Sequence, residues 1–377
     1  MQTNSFNSLQ ELGAEVNYLN QIKRDFVLPS QAAHVEPDGR HINLVSTNMD
    51  QTFHGVMSKE FVDLSNQWNG VGNRYYKLMV ERKQFPLIAE NMNTWFQNPP
   101  KGSGVRLFRT YDYTNAPFPR VLQDNRFRSI HSEKFLTFDN FDLLDGINPV
   151  LERLEERMGE IRFESMGLTD KKLYLKIIVP KIEAEILKQG RSVGDIVQSG
   201  VLGSNSEVGM GSIVVSPFIY RLLCLNGMVV NDSGLRKRHL GHVRAVGEIT
   251  YQDDTLEAMH VVLKKQLRDH VEDCTSQSQF DRTVEKIQAA ADDKDSRDPE
   301  EVLAGIGKKY SLAEAEVKKA KRSLFENGDF SRWGFANAVT SVANSSDNYD
   351  RASDLQETGG NIIQMPKRDW VAVAKAA

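Results

Sequence analysis

The sequence predicts an α+β protein in which a mixed or antiparallel sheet core, at about residues 105–250, follows N-terminal helices and precedes a helical C-terminal third. Two observations lead to this prediction. Apolar residues recur at helical spacings of three and four near both ends of the chain, but at every second position in the middle. Because no regular helix separates the predicted strands, a doubly wound parallel sheet is not expected.

Changes in this pattern divide the chain into four parts. We predict a helical N-terminal part at 1–100, a sheet-rich core at 101–250, a helical part packed on that core at 251–363, and a tail at 364–377. The clearest interruption is Asn98-Pro-Pro-Lys-Gly-Ser-Gly104, because proline and glycine end regular structure.

The N-terminal part begins with a helix-start signal. Ser8 and Glu11 have the spacing of a capping box, and the apolar pattern that follows predicts a helix over 9–23. Pro37-Asp38-Gly39 is typical of a turn between short extended segments. We further predict a loop at 46–58 and helices over 59–68 and 73–95, the second of them broken at Pro86.

The middle of the chain carries the strand signals. Apolar patterns predict strands over 105–110, 173–179 and 182–186, and Pro180 predicts a bulge, a corner or a strand end between the last two. A helix is expected near 148–158. The pair Asn226-Gly227 stands between apolar stretches, and since both residues tolerate a positive φ it predicts a hairpin or tight turn.

Helical stripes return after Tyr251. Apolar residues predict helices over 256–274 and 276–291, and the acidic segment 292–301 then breaks the pattern. Ser311 and Glu314 have the form of a capping box, and Gly328 stands where the helix would end. Further helices are expected at 333–344 and 350–357, whereas the tail gives no strong signal.

Composition excludes several classes of protein. The chain has no run of about 18 apolar residues, and its first residues lack a signal-peptide pattern, so neither a membrane span nor a membrane partner is expected. The two cysteines, Cys224 and Cys274, are too few for a disulfide framework and are typical of a reducing compartment. We therefore expect a cytoplasmic protein.

The net charge of −4 is close to neutral, but the charges are unevenly distributed. Residues 101–134 contain seven basic and three acidic side chains, whereas residues 281–301 contain eight acidic and four basic ones. This asymmetry argues against a nucleic-acid coat over the whole protein and permits a local basic face.

No catalytic or cofactor motif is complete. The segment 305–309 lacks the first glycine and the Ser or Thr of a phosphate-binding loop, and Gly209-x-Gly211 leads into a strand instead of a helix. His239 and His242 lie three residues apart, without the further ligands that a metal ion needs. We predict no catalytic residue, no cofactor and no metal, while an enzyme with a dispersed active site stays open as an alternative.

Basic and aromatic residues provide the main functional signal. Arginines lie among aromatic residues in extended segments, which suits single-stranded nucleic acid because cations contact phosphates and rings stack on bases. On a strand, Arg126 and Arg128 would point to one face. The alternative is a solvated surface of salt bridges, since 51 acidic residues can neutralise 47 basic ones. The candidate nucleic-acid-binding residues are Arg106, Arg109, Arg126, Arg128, Arg221, Arg236, Lys237, Arg238 and Arg244.

A second group of residues is expected to be structural. Glu207 precedes two glycines. We interpret it as a hydrogen-bond acceptor that fixes a turn, in preference to a catalytic acid, because no second carboxylate is close in sequence. Trp333 follows a capping Ser331 and lies on an apolar helix face. The residues assigned to turns or to the core are Asn205, Glu207, Gly209, Asn226, Gly227, Trp333 and Asn337.

Four segments, in order along the chain, resemble a family of phage- and plasmid-borne proteins called domain of unknown function 932. They are Lys23-Arg-Asp-Phe-Val-Leu-Pro29; Arg126-Phe-Arg-Ser-Ile-His-Ser-Glu-Lys-Phe-Leu-Thr-Phe-Asp-Asn-Phe-Asp142; the segment 205–230 running on into Leu235-Arg-Lys-Arg-His-Leu-Gly241; and Arg332-Trp-Gly-Phe-Ala-Asn-Ala-Val-Thr340 with Asp350-Arg-Ala-Ser-Asp-Leu-Gln-Glu357. The resemblance spans roughly residues 8–363, and Phe127 stands where the family usually has alanine.

The resemblance implies a setting and no specific reaction, because that family is largely uncharacterised. Genes on phages and plasmids make DNA metabolism the natural setting. We therefore predict a non-enzymatic protein that binds single-stranded DNA during replication or recombination of a mobile element. By analogy, its concrete form is a sheet-centred strand-annealing protein that assembles as a homo-oligomer. The alternative is a host-interaction or anti-defence protein that acts through protein–protein contacts.

Overall fold

The computed structural model describes residues 4–45, 52–100, 104–114, 116, 124–187, 194–230, 234–239, 253–294 and 297–373. Within these ranges the chain forms two β-sheets together with helices, which confirms the predicted α+β class. The strands are, in chain order, β1 (Asn4–Ser5), β2 (Lys23–Pro29), β3 (Ala33–Val35), β4 (His41–Leu44), β5 (Phe53–Met57), β6 (Val105–Tyr111), β7 (Arg126–Ser132), β8 (Arg162–Leu168), β9 (Leu173–Glu185), β10 (Ile196–Asn205), β11 (Ile213–Arg221), β12 (Asn226–Val229) and β13 (Leu235–Lys237).

The helices follow the same order along the described residues. They are α1 (Leu9–Ile22), α2 (Lys59–Asn69), α3 (Asn73–Glu81), α4 (Phe85–Gln97), α5 (Asn140–Met158), α6 (Asp253–Cys274), α7 (Gln277–Asp292), α8 (Pro299–Lys309), α9 (Glu314–Asn327), α10 (Arg332–Ala343), α11 (Tyr349–Gln364) and α12 (Lys367–Val373), with a 3-10 turn at Ser30–Ala32. None of these helices is long and apolar enough to cross a membrane.

The smaller sheet has six strands, in the order β2-β6-β7-β5-β4-β3. Its neighbouring strands are antiparallel except for the parallel pair β5 and β7, so the sheet is mixed. Four of its strands lie in the first hundred residues, the part predicted to be mainly helical with only short extended segments around Pro37-Asp38-Gly39, so the sheet region begins far before residue 105. Strands β3 to β5 have only three to five residues, too few for a clear period, and β2 pairs with the distant strand β6.

Strand β5 replaces much of the loop predicted at 46–58. Phe53 and Met57 are buried, and the strand pairs with β4 and, through Val56 and Met57, with β7. The first part of that predicted loop, residues 46–51, lies outside the described residues. The strand was missed because His54 and Gly55 interrupt its apolar pattern, and its pairing with Arg126 and Phe127 is set by tertiary structure.

The larger sheet has seven antiparallel strands, in the order β1-β8-β9-β10-β11-β12, with β13 also paired to β11. The two strands predicted on either side of Pro180 are one continuous strand, β9. Its register with β10 shifts at this point, because Gln198 lies opposite Glu183 while the next residue, Ser199, lies opposite Val179. Pro180 therefore lies in a β-bulge, which is one of the three alternatives predicted for this position.

Two apolar clusters pack helices on the larger sheet. At one end of the central strands, α1, α5 and α6 cover Leu175, Val201 and Val215. Toward the other end of the same strands, the C-terminal helices α7 to α12 cover Val179, Val197 and Ile219. A third cluster packs α2 and α4 on the smaller sheet.

Several helices differ from the predictions, among them α8, which was not predicted, and α11, which extends to Gln364. Helix α5 begins at Asn140, well before residue 148, and carries Pro149 in its interior. Helix α9 begins at Glu314 and has Ala313 as its N-cap, so the capping box predicted at Ser311 is wrong: Glu316 accepts from the Ala313 amide instead. The tail contains α12, whose Trp370 is buried against Phe335.

Other caps agree with the sequence. The Ser8 side chain accepts from the Glu11 amide, and Gly328 ends α9 with φ +61°.

Trp333 is buried and donates from Nε1 to Asp195 Oδ2 at 3.1 Å. Asn337 is buried beside it and donates to the Trp333 carbonyl at 2.9 Å, so both residues are core residues as predicted.

The predicted turn at Asn226-Gly227 is wrong in its position. A hairpin joins β11 and β12, but its turn is formed by residues 222–225, where Leu225 takes the positive φ of 48°. Asn226 and Gly227 are already in β12, and Gly227 lies opposite Tyr220. Glycine is required there for space: a Cβ would lie 2.1 Å from Cζ of Phe218.

We expect Gly227→Ala to lower the free energy of unfolding by about 1–3 kcal/mol, because the added methyl group overpacks the Phe218 ring. Thermal and denaturant unfolding measure the change. Gly13→Ala in α1 is the matched control, since its Cβ meets nothing within 4 Å and alanine favours a helix. Equal effects of the two substitutions would contradict the packing argument.

Candidate functional site

A polar cleft of about 220 Å³ lies where the two sheets approach each other. One wall comes from Tyr111 and Tyr113 at the end of β6 and from Arg126 and Arg128 of β7. The turn between β8 and β9 forms the opposite wall, with Lys171 and Lys172. Helix α1, the start of α2 and the segment after β10 complete the lining.

A network of buried charges lies behind this cleft and joins the two sheets. Arg109 of β6 has no exposed side-chain surface. Its Nε donates to Asp25 Oδ2 at 2.8 Å, its Nη2 to Asp139 Oδ1 at 2.6 Å, and its Nη1 to the Glu207 carbonyl at 2.7 Å. The guanidinium thus ties the smaller sheet to the N-cap of α5 and to the end of β10.

Arg128 is the second buried guanidinium of the network. Its Nη1 donates to Glu207 Oε2 and, at 3.2 Å, to the Tyr111 hydroxyl, while Nη2 donates to Asp25 Oδ1 at 3.3 Å. The other carboxylate oxygen of Glu207 accepts from the Asn140 amide at 2.7 Å, at the first turn of α5. Glu207 therefore acts as a structural acceptor, the role that its sequence context favoured.

Burial and charge together fix the protonation of this network. Burial alone would raise the pKa of the Asp139 carboxyl, but Arg109, Arg128 and Lys23 hold it well below its usual range. Burial and the Glu207 carboxylate both raise the pKa of Tyr111, so its hydroxyl stays protonated. The carboxylates overcome the effect of burial on Arg109 and raise its pKa.

Four of the predicted nucleic-acid-binding arginines are buried, and three of them are paired with carboxylates, which argues against their assignment to an exposed binding face. Arg109 and Arg128 belong to the network, and Arg221 forms a two-point ion pair with Asp195 at 2.5 and 2.8 Å. Arg106 is buried with its guanidinium 3.8 Å from the Trp68 ring centroid, and burial lowers its pKa to about 10. Arg106, Arg109 and Arg221 are not placed to contact the phosphates of a bound strand, and Arg128, which lines the cleft, donates to Tyr111, Glu207 and Asp25.

The other candidates lie nearer to solvent. Arg126 and Arg128 share one face of β7, as predicted, and both line the cleft; Arg126 is the more exposed and pairs with Asp170 at 3.0 Å. On β13 and just after it, Arg236 and Arg238 are exposed and Lys237 is half-buried. Arg236 pairs with Glu357 at 2.8 Å, whereas Arg244 lies outside the described residues.

The remaining structural candidates are also buried. Asn205 donates to the Phe138 carbonyl and to Asn140 Oδ1, both at 3.0 Å. Gly209 has φ +69° and faces the His131 ring. Asn226 donates to Thr340 Oγ1 at 2.5 Å and so links β12 to α10.

His239 stacks in a column behind the network. The Phe135 ring lies between those of His131 and His239, with centroids 3.8 and 5.1 Å apart. Burial, with the nearby positive charge of Arg109, lowers the pKa of His131 to about 3. Burial likewise lowers the pKa of His239 to about 4, so both rings are neutral at neutral pH. His242, its neighbour in the sequence pattern, lies outside the described residues.

Sequence reasoning missed three charged residues that line the cleft, Lys171, Lys172 and Glu60. Lys171 and Lys172 lie in a short turn between two strands, where Thr169-Asp-Lys-Lys172 could have been noticed as a cationic hairpin tip. Glu60 is buried at the start of α2, lines the cleft, and its Oε1 has no hydrogen-bond partner. Burial raises the pKa of this carboxyl. No sequence pattern marks Glu60, because an acidic residue in a first helical turn is ordinary.

Comparisons with protein-family models, with curated proteins and with solved structures find no significant match. The geometry of the cleft and of its surroundings is therefore the basis for a function.

We expect Asp139→Asn to lower the free energy of unfolding by about 3–5 kcal/mol, because it removes a buried partner of Arg109 and an ion pair with Lys23. The control is Asp63→Asn, which breaks the surface pair with Lys59 and should cost less than about 1 kcal/mol. Since the pKa of Asp139 is lowered by folding, its contribution is present at neutral pH and is lost on acidification. Denaturant unfolding at pH 7 measures the first effect, and the difference from the wild type should begin to shrink only when the pH falls below the usual pKa of an aspartate.

We expect Glu60→Gln to stabilise the protein at high pH. Because folding raises the pKa of this carboxyl, the wild type loses stability as the pH rises above the unfolded-state value, whereas glutamine carries no such penalty. Unfolding at pH 4 and pH 8 should show a stabilisation that is larger at pH 8. Glu155→Gln, at an exposed position of α5, is the control and should show no such trend.

Proposed function

We propose that the protein binds single-stranded nucleic acid, with single-stranded DNA of a mobile element as the natural ligand. Part of one nucleotide would enter the cleft and the neighbouring nucleotides would follow the basic surface outside. The observation that carries the proposal is that the ammonium groups of Lys171 and Lys172, which line the cleft, form no ion pair with the described residues. Such cations are available for phosphate in a way that the buried arginines are not.

The composition of the cleft supports this class of ligand. Arg126, which pairs with Asp170 of the β8–β9 turn, lines the cleft with the two lysines, and Tyr113 contributes an aromatic ring beside it. Cations that contact phosphates beside rings that stack on bases are the usual means of binding a single strand without sequence preference.

A second group of cations continues from the cleft. Gly211 lies against Lys172, since a Cβ on Gly211 would be 2.7 Å from Cε of that lysine. Two residues further on, Ile213 pairs with Lys237 of β13. The exposed side chains of Arg236 and Arg238 flank Lys237, so the β13 cations lie next to the lysine wall of the cleft. A strand that leaves the cleft over Gly211 would meet them.

The size of the cleft favours a single strand over a duplex. A volume of about 220 Å³ has room for a fragment of one nucleotide and none for a double helix. In a duplex the bases are stacked inside the helix, so a base could enter only after it had been flipped out, at a cost of a few kcal/mol. The proposal is of a binding protein, in which the cleft holds the nucleotide and does not transform it.

We expect wild-type protein to bind a labelled single-stranded DNA at low salt, and Lys171→Ala/Lys172→Ala to weaken binding about tenfold or more. The salt dependence of the affinity should also flatten, by roughly 0.7 in log–log slope for each phosphate that the variant no longer contacts. Fluorescence anisotropy over a range of salt concentrations, with single-stranded and duplex DNA, measures both.

The matched control is Lys309→Ala/Lys318→Ala, which removes two exposed lysines from the C-terminal helical part. This control should bind like the wild type. The triple substitution of Arg236, Lys237 and Arg238 by alanine should weaken all DNA sequences alike. No binding by the wild type at low salt, or equally weakened binding in the control and the cleft variant, would overturn the proposal.

A further inference from the structure

A second polar cluster lies on the smaller sheet, at the hairpin of β3 and β4. The turn between these strands is held by main-chain hydrogen bonds, of which Glu36 N to His41 O measures 2.9 Å. Asp38 fixes the turn further, because its Oδ1 accepts from the amides of Arg40 and His41 at 2.9 and 3.0 Å. The side chains of Glu36, Asp38 and His41 consequently converge, with ligand atoms all within 4.8 Å of one another.

Strand β5 brings a fourth donor to this cluster. His54 lies opposite Asn43 in the register of β4 and β5, two residues along β4 from His41. Its Nδ1 is 3.5 Å from Glu36 Oε1, and its ring stacks on the His41 ring with centroids 5.2 Å apart. Glu36, Asp38 and His41 thus form the compact group, and His54 adjoins it through Glu36 and the His41 ring.

We propose that this cluster binds a divalent transition-metal ion of the zinc class through Glu36, Asp38, His41 and His54. Imidazole nitrogen combined with carboxylate oxygen suits zinc and its neighbours, whereas calcium and magnesium prefer oxygen ligands alone. The mixed donor set therefore selects the class of ion.

The distances need little change to accept an ion. Two ligand atoms about 2.1 Å from a tetrahedral ion lie about 3.4 Å apart, close to the 3.5 Å between Glu36 Oε1 and His54 Nδ1. His41 Nδ1 and Asp38 Oδ2 are already in direct hydrogen-bond contact. An ion would take the place of the proton that lies between them, and the His54 ring would turn toward the group formed by Glu36, Asp38 and His41.

Neighbouring side chains hold the donors in place. Asn43 donates to Glu36 Oε1 at 3.0 Å, and its own Oδ1 lies 2.9 Å from His54 Nδ1. Asp124 Oδ2 lies 4.0 Å from His41 Nε2, on the far side of that ring. Asn43 therefore orients Glu36 and His54, and His54 Nδ1 would exchange its contact with Asn43 for the ion on binding.

Metal binding at this cluster does not depend on nucleic-acid binding. The cluster lies on β3, β4 and β5, whereas the cleft begins at Arg126 of β7, and none of the four proposed ligands lines the cleft. Loss of metal binding would leave the nucleic-acid proposal standing, and failure to bind DNA would leave the metal site standing.

Calorimetry with zinc chloride tests the site, on full-length untagged protein first treated with a chelator. We expect one ion per chain at this cluster, and His41→Ala/His54→Ala should weaken binding by about tenfold or more. His34→Ala is the matched control, since His34 is exposed on β3 and outside the cluster. Zinc should also raise the thermal midpoint of the wild type and of the control, but not that of the double variant.

A second variant distinguishes the loss of a metal ligand from a loss of folding. His54→Gln removes one ligand at an exposed position, and circular dichroism should show an unchanged fold with weakened zinc binding. Equally tight zinc binding by the wild type and the double variant would overturn the site. The absence of wild-type binding, or a preference for calcium or magnesium over zinc, would do the same.

Discussion

The buried ion pairs of Arg109 and Arg128 are the interaction on which the arrangement of this molecule depends. Two guanidiniums without solvent need carboxylates, and these come from three separate places: Asp25 on β2, Asp139 at the N-cap of α5, and Glu207 after β10. A buried charge left without its partner is costly, so the two sheets and α5 can meet in only one way. The cleft exists because this contact holds the sheets side by side.

The network also decides what the remaining cations can do. Arginines that neutralise buried carboxylates use their hydrogen-bond donors inside the protein. A sequence segment rich in basic residues therefore does not by itself predict a positively charged surface. Lys171 and Lys172 differ because they stand on a hairpin tip, with no carboxylate in ion-pair distance among the described residues. The proposed binding surface is therefore built on two lysines that lie outside the arginine-rich segment.

Sequence reasoning succeeded where the cause of structure is local. Ser8 caps α1, Gly328 ends α9, and Pro180 marks a bulge, because each acts through its own backbone or its nearest neighbours. It failed for β5, Gly227 and Arg109, whose surroundings come from distant parts of the chain. Gly227 is glycine because of the Phe218 ring, and Arg109 is buried because residues 25, 139 and 207 converge on it.

The position of Glu60 gives the proposed nucleotide a direction in the cleft. Its unpartnered Oε1 can accept a hydrogen bond, or donate one when the carboxyl is protonated, whereas Lys171, Lys172 and Arg126 favour negative charge. A simple anion would satisfy the cations and leave Glu60 Oε1 without a hydrogen-bond partner. A nucleotide carries both a phosphate and a base edge with donors and acceptors, so it satisfies both parts at once. The buried carboxyl therefore favours a nucleotide over inorganic phosphate as the ligand of this cleft.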